Sequence, residues 1–101
     1  MKRTTLDFAG FFDVRLSTDD AQAAQMTLAP GRSTGGPDNS HETSDQWLYV
    51  VSGSGYATIE GEDVRLTEDD LVVIEAGETH EITNDGDEPL ETLNLYVPPD
   101  Y

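Results

Sequence analysis

A chain of 101 residues without cysteine is long enough for one domain with a modest core, and it excludes disulfides and thiolate chemistry. Asp and Glu outnumber Lys and Arg by 21 to 5, a formal net charge of −16, so nucleic acid and anionic membranes are not expected as partners. The acidic residues are interleaved with apolar ones, which favours a solvated folded surface over a disordered tail. We interpret this excess as an adaptation to high salt, that is, as halophilic. Salt at about 1 M shortens the Debye length to ~3 Å and so screens the repulsion between the acidic residues. The N-terminus lacks the apolar run of a signal peptide, so a cytoplasmic location is expected.

Short strand patterns separated by turn signals follow one another along the chain. Alternation and composition predict strands at 11–17 and 24–28, and small turn-forming residues predict a loop at 32–39. The apolar run at 71–74 predicts a strand buried on both faces. Segment 18–25 lacks an apolar stripe and is expected to form at most one turn. The other predicted strands are 46–51, 56–60, 63–66, 79–83 and 90–97.

The number and spacing of these strands indicate an all-β sandwich or barrel with little or no helix. We find no internal repeat, no linker and no segment whose composition differs from the rest of the sequence. A single domain over residues 1–101 is therefore predicted.

Glycines, amides and the two histidines of the chain occur at particular spacings. Asn39, His41, Gln46 and Gly53 form one series. A second series has Gly77, His80 and Asn84, preceded by Asp69 and Glu75. These two series resemble the two motifs of small single-domain cupins. The surrounding segments SDQWLYVVSGSG, IEAGETHEITN and TLNLYVPP are also similar to segments of such cupins. In that pattern Asn39 replaces a histidine, Gln46 a glutamate, Asp69 a glycine and Glu75 a proline.

The resemblance implies a jelly-roll, or double-stranded β-helix, with the core motifs within 30–99 and N-terminal strands at 1–29. In cupins the corresponding histidines and glutamate converge on a divalent metal, so the implied ligands are His41, Gln46, His80 and Asn39. The metal could be Fe, Mn, Ni or Zn. Because amides bring no charge, such a site favours an anionic ligand. These residues also have alternative roles that involve no metal. Asn39 would be a turn residue, Gln46 would make a hydrogen bond across the barrel, and the histidines would be ordinary buried side chains.

Strand alternation assigns faces to the candidate residues. Gln46 and Leu48 share one face of their strand, and His80 shares a face with an apolar neighbour, which predicts that these three side chains point inward. Asn94 and Tyr96 alternate with apolar residues in the last strand and either line the pocket or face solvent.

Two functions of different classes remain open from the sequence. One is a metal-dependent enzyme acting on a small organic acid, a sugar acid or keto acid, as an isomerase, lyase or dioxygenase. The other is a metal-free module that binds or senses a small molecule in the same cavity; a purely structural or partner-binding domain ranks below both. The resemblance further implies a homodimer, for which Phe8, Phe11 and Phe12 are the candidate contacts.

Overall fold

Nine β-strands form the framework of the protein in a computed structural model that describes residues 1–36 and 39–101. Within these residues there is no helix, and therefore none that could cross a membrane. The strands are β1 Phe12–Ser17, β2 Gln22–Leu28, β3 Ser33–Ser40, β4 Asp45–Ser52, β5 Gly55–Ile59, β6 Glu62–Leu66, β7 Leu71–Ile74, β8 Thr79–Thr83 and β9 Leu90–Val97.

The strands pair into two antiparallel sheets. One has the order β1-β2-β9-β4-β7 and the other the order β3-β8-β5-β6. Inward side chains of both sheets join in one apolar cluster, which contains Met26, Leu28, Leu48, Val50, Ala57, Leu66, Ile74, Ile82 and Leu90. The predicted all-β jelly-roll is confirmed, since alternating apolar positions on two sheets leave one shared core between them.

The loop predicted at 32–39 is wrong from residue 33 onward, because residues 33–39 lie within β3. Ser33 and Thr34 pair with β8, and the register then shifts between Gly35 and Ser40. Gly35 has a φ of +68°, a left-handed conformation that glycine adopts at little cost. Turn-forming residues are thus accommodated in an irregular strand by pairing with a distant segment, which a local reading of propensity does not detect.

The prediction that 71–74 is buried on both faces is also wrong for the single chain. Leu71 is 61% exposed and Val73 40% exposed, whereas Ile74 is buried. Strand β7 belongs to the five-stranded sheet, whose outer face has no second layer over it, so Leu71 and Val73 on that face are exposed.

Asp69, at a position where the cupin pattern has glycine, adopts a φ of +72°. Its backbone N–H donates to the carbonyl of Val50 at 2.9 Å, and its carboxylate accepts a hydrogen bond from the Tyr49 hydroxyl. The glycine of the pattern therefore corresponds to a left-handed turn residue, and a short polar side chain tolerates this conformation better than most others do.

Candidate functional site

A cavity of about 260 Å³ opens between the two sheets. Gln46 and Tyr96 enter it from the five-stranded sheet, and His80 and Ile82 enter it from the four-stranded sheet. The remaining lining residues are Phe11, Phe12, Met26, Thr34, Gly35, Asn39, His41 and Tyr101. Polar groups of both sheets thus converge on a largely apolar space, the usual arrangement of a small-molecule site.

The two histidines lie side by side in this cavity. His80 is on β8, and His41 follows β3 directly. Their rings are stacked with centroids 5.0 Å apart and an interplanar angle of 27°. The carbonyl of His41 accepts a hydrogen bond of 2.7 Å from the N–H of Gly77, whose φ of +88° requires the glycine. The turn before β8 therefore helps to hold His41 beside His80.

Each imidazole has an oxygen acceptor at Nδ1. The Asp100 carboxylate accepts a hydrogen bond from His41, and the Glu78 carbonyl accepts one of 3.4 Å from His80. Burial lowers the pKa of His80, and the neighbouring His41 lowers it further. At neutral pH His80 is thus a neutral imidazole with its proton on Nδ1, and Nε2 carries the free electron pair.

Gln46 is 4% exposed and belongs to a chain of buried side-chain amides. Its Nε2 donates to Oδ1 of Asn94 at 3.0 Å, and Nδ2 of Asn94 donates to Oγ1 of Thr92 at 3.0 Å. These contacts use the Gln46 amide nitrogen and leave Oε1 buried without a hydrogen-bond partner among the described residues. A buried acceptor in this state is costly unless a ligand completes it.

Asn39 reaches His80 with its amide nitrogen. The distance from Nδ2 of Asn39 to Nε2 of His80 is 3.4 Å. A Cβ built on Gly35 would lie 2.8 Å from that same amide nitrogen. Any larger residue at position 35 would therefore clash with the Asn39 side chain. Asn39 therefore donates toward His80, and it would present its oxygen there only after rotation of the amide.

Of the three residues expected to line the pocket, the structure places one in the cavity wall and two behind it. Tyr96 is buried, lines the cavity and meets the His41 ring edge-on at a centroid distance of 5.2 Å; burial raises the pKa of its hydroxyl. Asn94 and Leu48 face inward, but they are not among the described lining residues. Asn94 contacts the cavity only indirectly, because it accepts a hydrogen bond from the cavity-lining Gln46. Leu48 belongs to the core.

Asp100 and Tyr101 were not predicted at the site. The ring of Tyr101 packs against Phe12 and Tyr96, each at a centroid distance of 4.9 Å, and Asp100 contacts His41. The sequence signal at this point is two prolines after the last strand, which indicates the end of the strand and says nothing about where the chain goes next.

Within residues 1–36 and 39–101, no three His, Cys, Asp or Glu side chains form a metal-binding group. Any metal in the cavity would therefore depend on amide oxygens beside the two imidazoles. Gln46 fits this role because its Oε1 is buried and unpaired among the described residues, whereas Asn39 presents its nitrogen.

A family model described as a cupin domain matches residues 24–96. The chain belongs to the cupin family. It is similar to the tetracenomycin polyketide synthase protein TcmJ of Streptomyces glaucescens, with 39% identity over 67% of this chain and 44% of the relative. It is also similar to an oxalate-binding protein of Thermotoga maritima, with 34% identity over 73% of this cupin and 60% of the relative.

A crystal structure of the protein BH2720 from Bacillus halodurans has the same fold. Its TM-score is 0.85 at 26% identity, covering 90% of this cupin and 72% of the other chain. This cupin spans about half the length of the curated relatives that it matches.

Proposed function

We propose that this cupin holds a divalent metal ion between its sheets and uses it to bind a small carboxylate-bearing molecule. The proposed ligands are Nε2 of His41, Nε2 of His80 and Oε1 of Gln46. The observation that carries the proposal is the buried Oε1 of Gln46, which has no hydrogen-bond partner among the described residues. Three protein ligands with room for one further group are typical of metal sites that act on small molecules.

The donor chemistry supports this assignment. Neutral imidazole suits Zn²⁺, Fe²⁺, Ni²⁺ and other borderline metals, and an amide oxygen is an acceptable partner. Asn94 directs the oxygen of Gln46, because Asn94 occupies the amide nitrogen at 3.0 Å. When bound, the metal would act as a Lewis acid on an oxygen of the ligand. Asn39 would donate a hydrogen bond to that ligand from its present orientation, or would become a fourth metal ligand after rotation.

An anionic ligand follows from the charge of the proposed site. His41, His80 and Gln46 are all neutral as ligands, so these three ligands would not neutralise the charge of a divalent ion, and a negatively charged bound molecule is favoured. A cavity of about 260 Å³ accommodates a small organic acid. The similarity to an oxalate-binding protein supports a carboxylate ligand. Sugar acids and keto acids, with isomerase, lyase or dioxygenase chemistry, remain predictions for turnover.

The experiment is a measurement of metal content and metal affinity on untagged protein in high salt. We expect about one metal per chain, and more than about 100-fold weaker binding in His80→Ala, beyond the 10–100-fold typical of outer-shell changes. Gln46→Met should lose affinity as well. Gln25→Met is the matched control, because Gln25 is a buried glutamine whose oxygen already accepts hydrogen bonds from the N–H groups of Asp7 and Phe8.

A metal-free binding module is the second candidate function. It is favoured by the Asn39 amide, which donates to the His80 nitrogen that a metal would need. Calorimetry with oxalate and pyruvate, with and without metal, separates the two functions. Binding that requires metal supports the first proposal; equal binding in the presence of a chelator contradicts it and supports the second.

We further propose that two copies pair through the outer face of the five-stranded sheet. Exposed apolar side chains cover this face on β4, β7 and β9, namely Trp47, Leu71, Val73, Leu95 and Val97. Trp47 lies opposite both Val73 and Leu95 in the sheet. Two chains of net charge −16 repel each other, so a second copy is best accommodated where the contact is apolar. The sequence predicted a different dimer contact, at Phe8, Phe11 and Phe12. In the single chain Phe11 is exposed, Phe8 is half-buried and Phe12 packs against the core.

A further inference from the structure

Residues 98–101 return from the end of β9 to the cavity and are held at both ends. The hydroxyl of Ser44 donates to the carbonyl of Pro98 at 2.6 Å. Oε1 of Gln22 accepts hydrogen bonds from the backbone N–H groups of Asp100 at 2.9 Å and Tyr101 at 2.8 Å. Both Ser44 and Gln22 are buried. This small network determines where the Asp100 side chain can reach.

The Asp100 side chain reaches Nδ1 of His41. His41 is mostly buried, and its ring also contacts the rings of Tyr96 and Tyr101 at centroid distances of 5.2 and 5.8 Å. An ionised carboxylate can only accept, so the proton of a neutral His41 lies on Nδ1 and the electron pair on Nε2. A carboxylate at the outer nitrogen of a ligating histidine sets the tautomer and raises the basicity of the ring.

We propose that Asp100 is a positioning residue of the metal site, acting through His41. It holds the imidazole in the tautomer that offers Nε2 to the metal, and it brings a negative charge close to ligands that are otherwise neutral. Asp100 thereby compensates in part for the glutamate that Gln46 replaces in the cupin pattern. This inference rests on the proposed function, since it concerns the same metal site.

The first test is Zn²⁺ and Co²⁺ affinity by calorimetry in the full chain. Asp100→Asn should weaken binding by about 10–100-fold, and Asp100→Glu should recover part of that loss. Asp87→Asn is the matched control, because it removes the same charge at an exposed position between β8 and β9. Its affinity should remain within about threefold of the parent, as expected for a screened surface charge.

The second test reads the His41 tautomer directly in metal-free protein. Nitrogen-15 NMR at about pH 8.5, well above the ordinary histidine pKa, should show the proton on Nδ1 in the parent chain. In Asp100→Asn the two tautomers should mix. Tyr101→Ala removes the neighbouring ring but keeps the carboxylate, so it should leave His41 in the Nδ1–H form. A proton on Nε2 of His41 in the parent overturns the proposal.

The outcomes separate this inference from the proposed function. If the parent chain binds metal and Asp100→Asn binds it equally well, the role of Asp100 is refuted while the metal site stands. If the parent chain takes up neither metal, the metal site itself fails and the positioning role fails with it. Weakened metal binding together with tautomer mixing in Asp100→Asn supports the proposal.

Discussion

Gln46 and Asn94 form a buried amide pair in which Nε2 of Gln46 donates to Oδ1 of Asn94 at 3.0 Å. The two residues lie on neighbouring strands, β4 and β9. Asn94 in turn donates to Thr92, so the direction of both amides is set by one chain of donors and acceptors. The consequence is a Gln46 oxygen beside the cavity that has no hydrogen-bond partner among the described residues and is available to a ligand or a metal.

Gln46→Glu should raise metal affinity by about tenfold or more, because a carboxylate adds negative charge to a neutral ligand set. Without metal, the variant should lose about 2 kcal/mol of unfolding free energy, since a buried carboxyl group replaces the donor to Asn94. Urea unfolding with metal and with a chelator measures both effects. Gln25→Glu serves as the control and should be destabilised under both conditions. Weaker metal binding by Gln46→Glu would contradict the assignment of Oε1 as a ligand.

Asp69 offers a test of backbone conformation against side-chain contact. Asp69→Gly and Asp69→Ala both remove the carboxylate that accepts from Tyr49, but only glycine adopts a φ of +72° without strain. We expect Asp69→Ala to be less stable than Asp69→Gly by about 1 kcal/mol in urea unfolding. Equal stability of the two variants would mean that the turn relaxes to another conformation.

The outer face of the five-stranded sheet should produce salt-dependent association. Between about 0.1 M and 1 M salt the Debye length falls from ~10 Å to ~3 Å, so repulsion between acidic chains decreases and the dimer population should rise. The double variant Trp47→Ser, Leu71→Ser should remain monomeric over this range in sedimentation velocity. Val64→Ser, at an exposed apolar position on the other sheet, is the control and should associate like the parent. A parent chain that stays monomeric in high salt would refute the proposed dimer.

The contact between Asp7 and Gln25 predicts a loosening of the N-terminal segment in acid. Nε2 of Gln25 donates to the Asp7 carboxylate at 2.8 Å, and this bond, followed by the N–H of Ala9, lowers the pKa of Asp7 below its ordinary value of 3.8. A carboxyl group with a depressed folded-state pKa stabilises above its unfolded-state pKa, and that stabilisation is lost as the pH falls through the folded-state pKa.

Hydrogen exchange of residues 5–9 should therefore accelerate below about pH 4, relative to the intrinsic exchange rate. Asp7→Asn should remove this pH dependence, and Asp19→Asn, at an exposed turn position, should retain it. A parent chain whose N-terminal protection is constant down to about pH 2 would argue against the contact.

Local patterns were sufficient to predict most strands and the inward direction of two candidate ligands. Alternation put Gln46 with Leu48 and His80 with Ile82, and all four are buried, because a strand exposes alternate side chains to opposite faces whatever its neighbours are. The spacing of glycines and histidines indicated the family, which the match over residues 24–96 confirms. These features depend on period and on turn chemistry, both of which are contained in short windows of sequence.

Other features were decided only by the tertiary structure. Residues 33–39 became part of strand β3, which pairs with β8, and Leu71 is exposed because the outer face of its sheet has no second layer over it. Asp100 reaches His41, 59 positions away in the chain, because Ser44 and Gln22 hold the segment that carries it. The physical reason is the same in each case: these contacts join residues distant in sequence, and their geometry follows from how two sheets pack, which no local periodicity specifies.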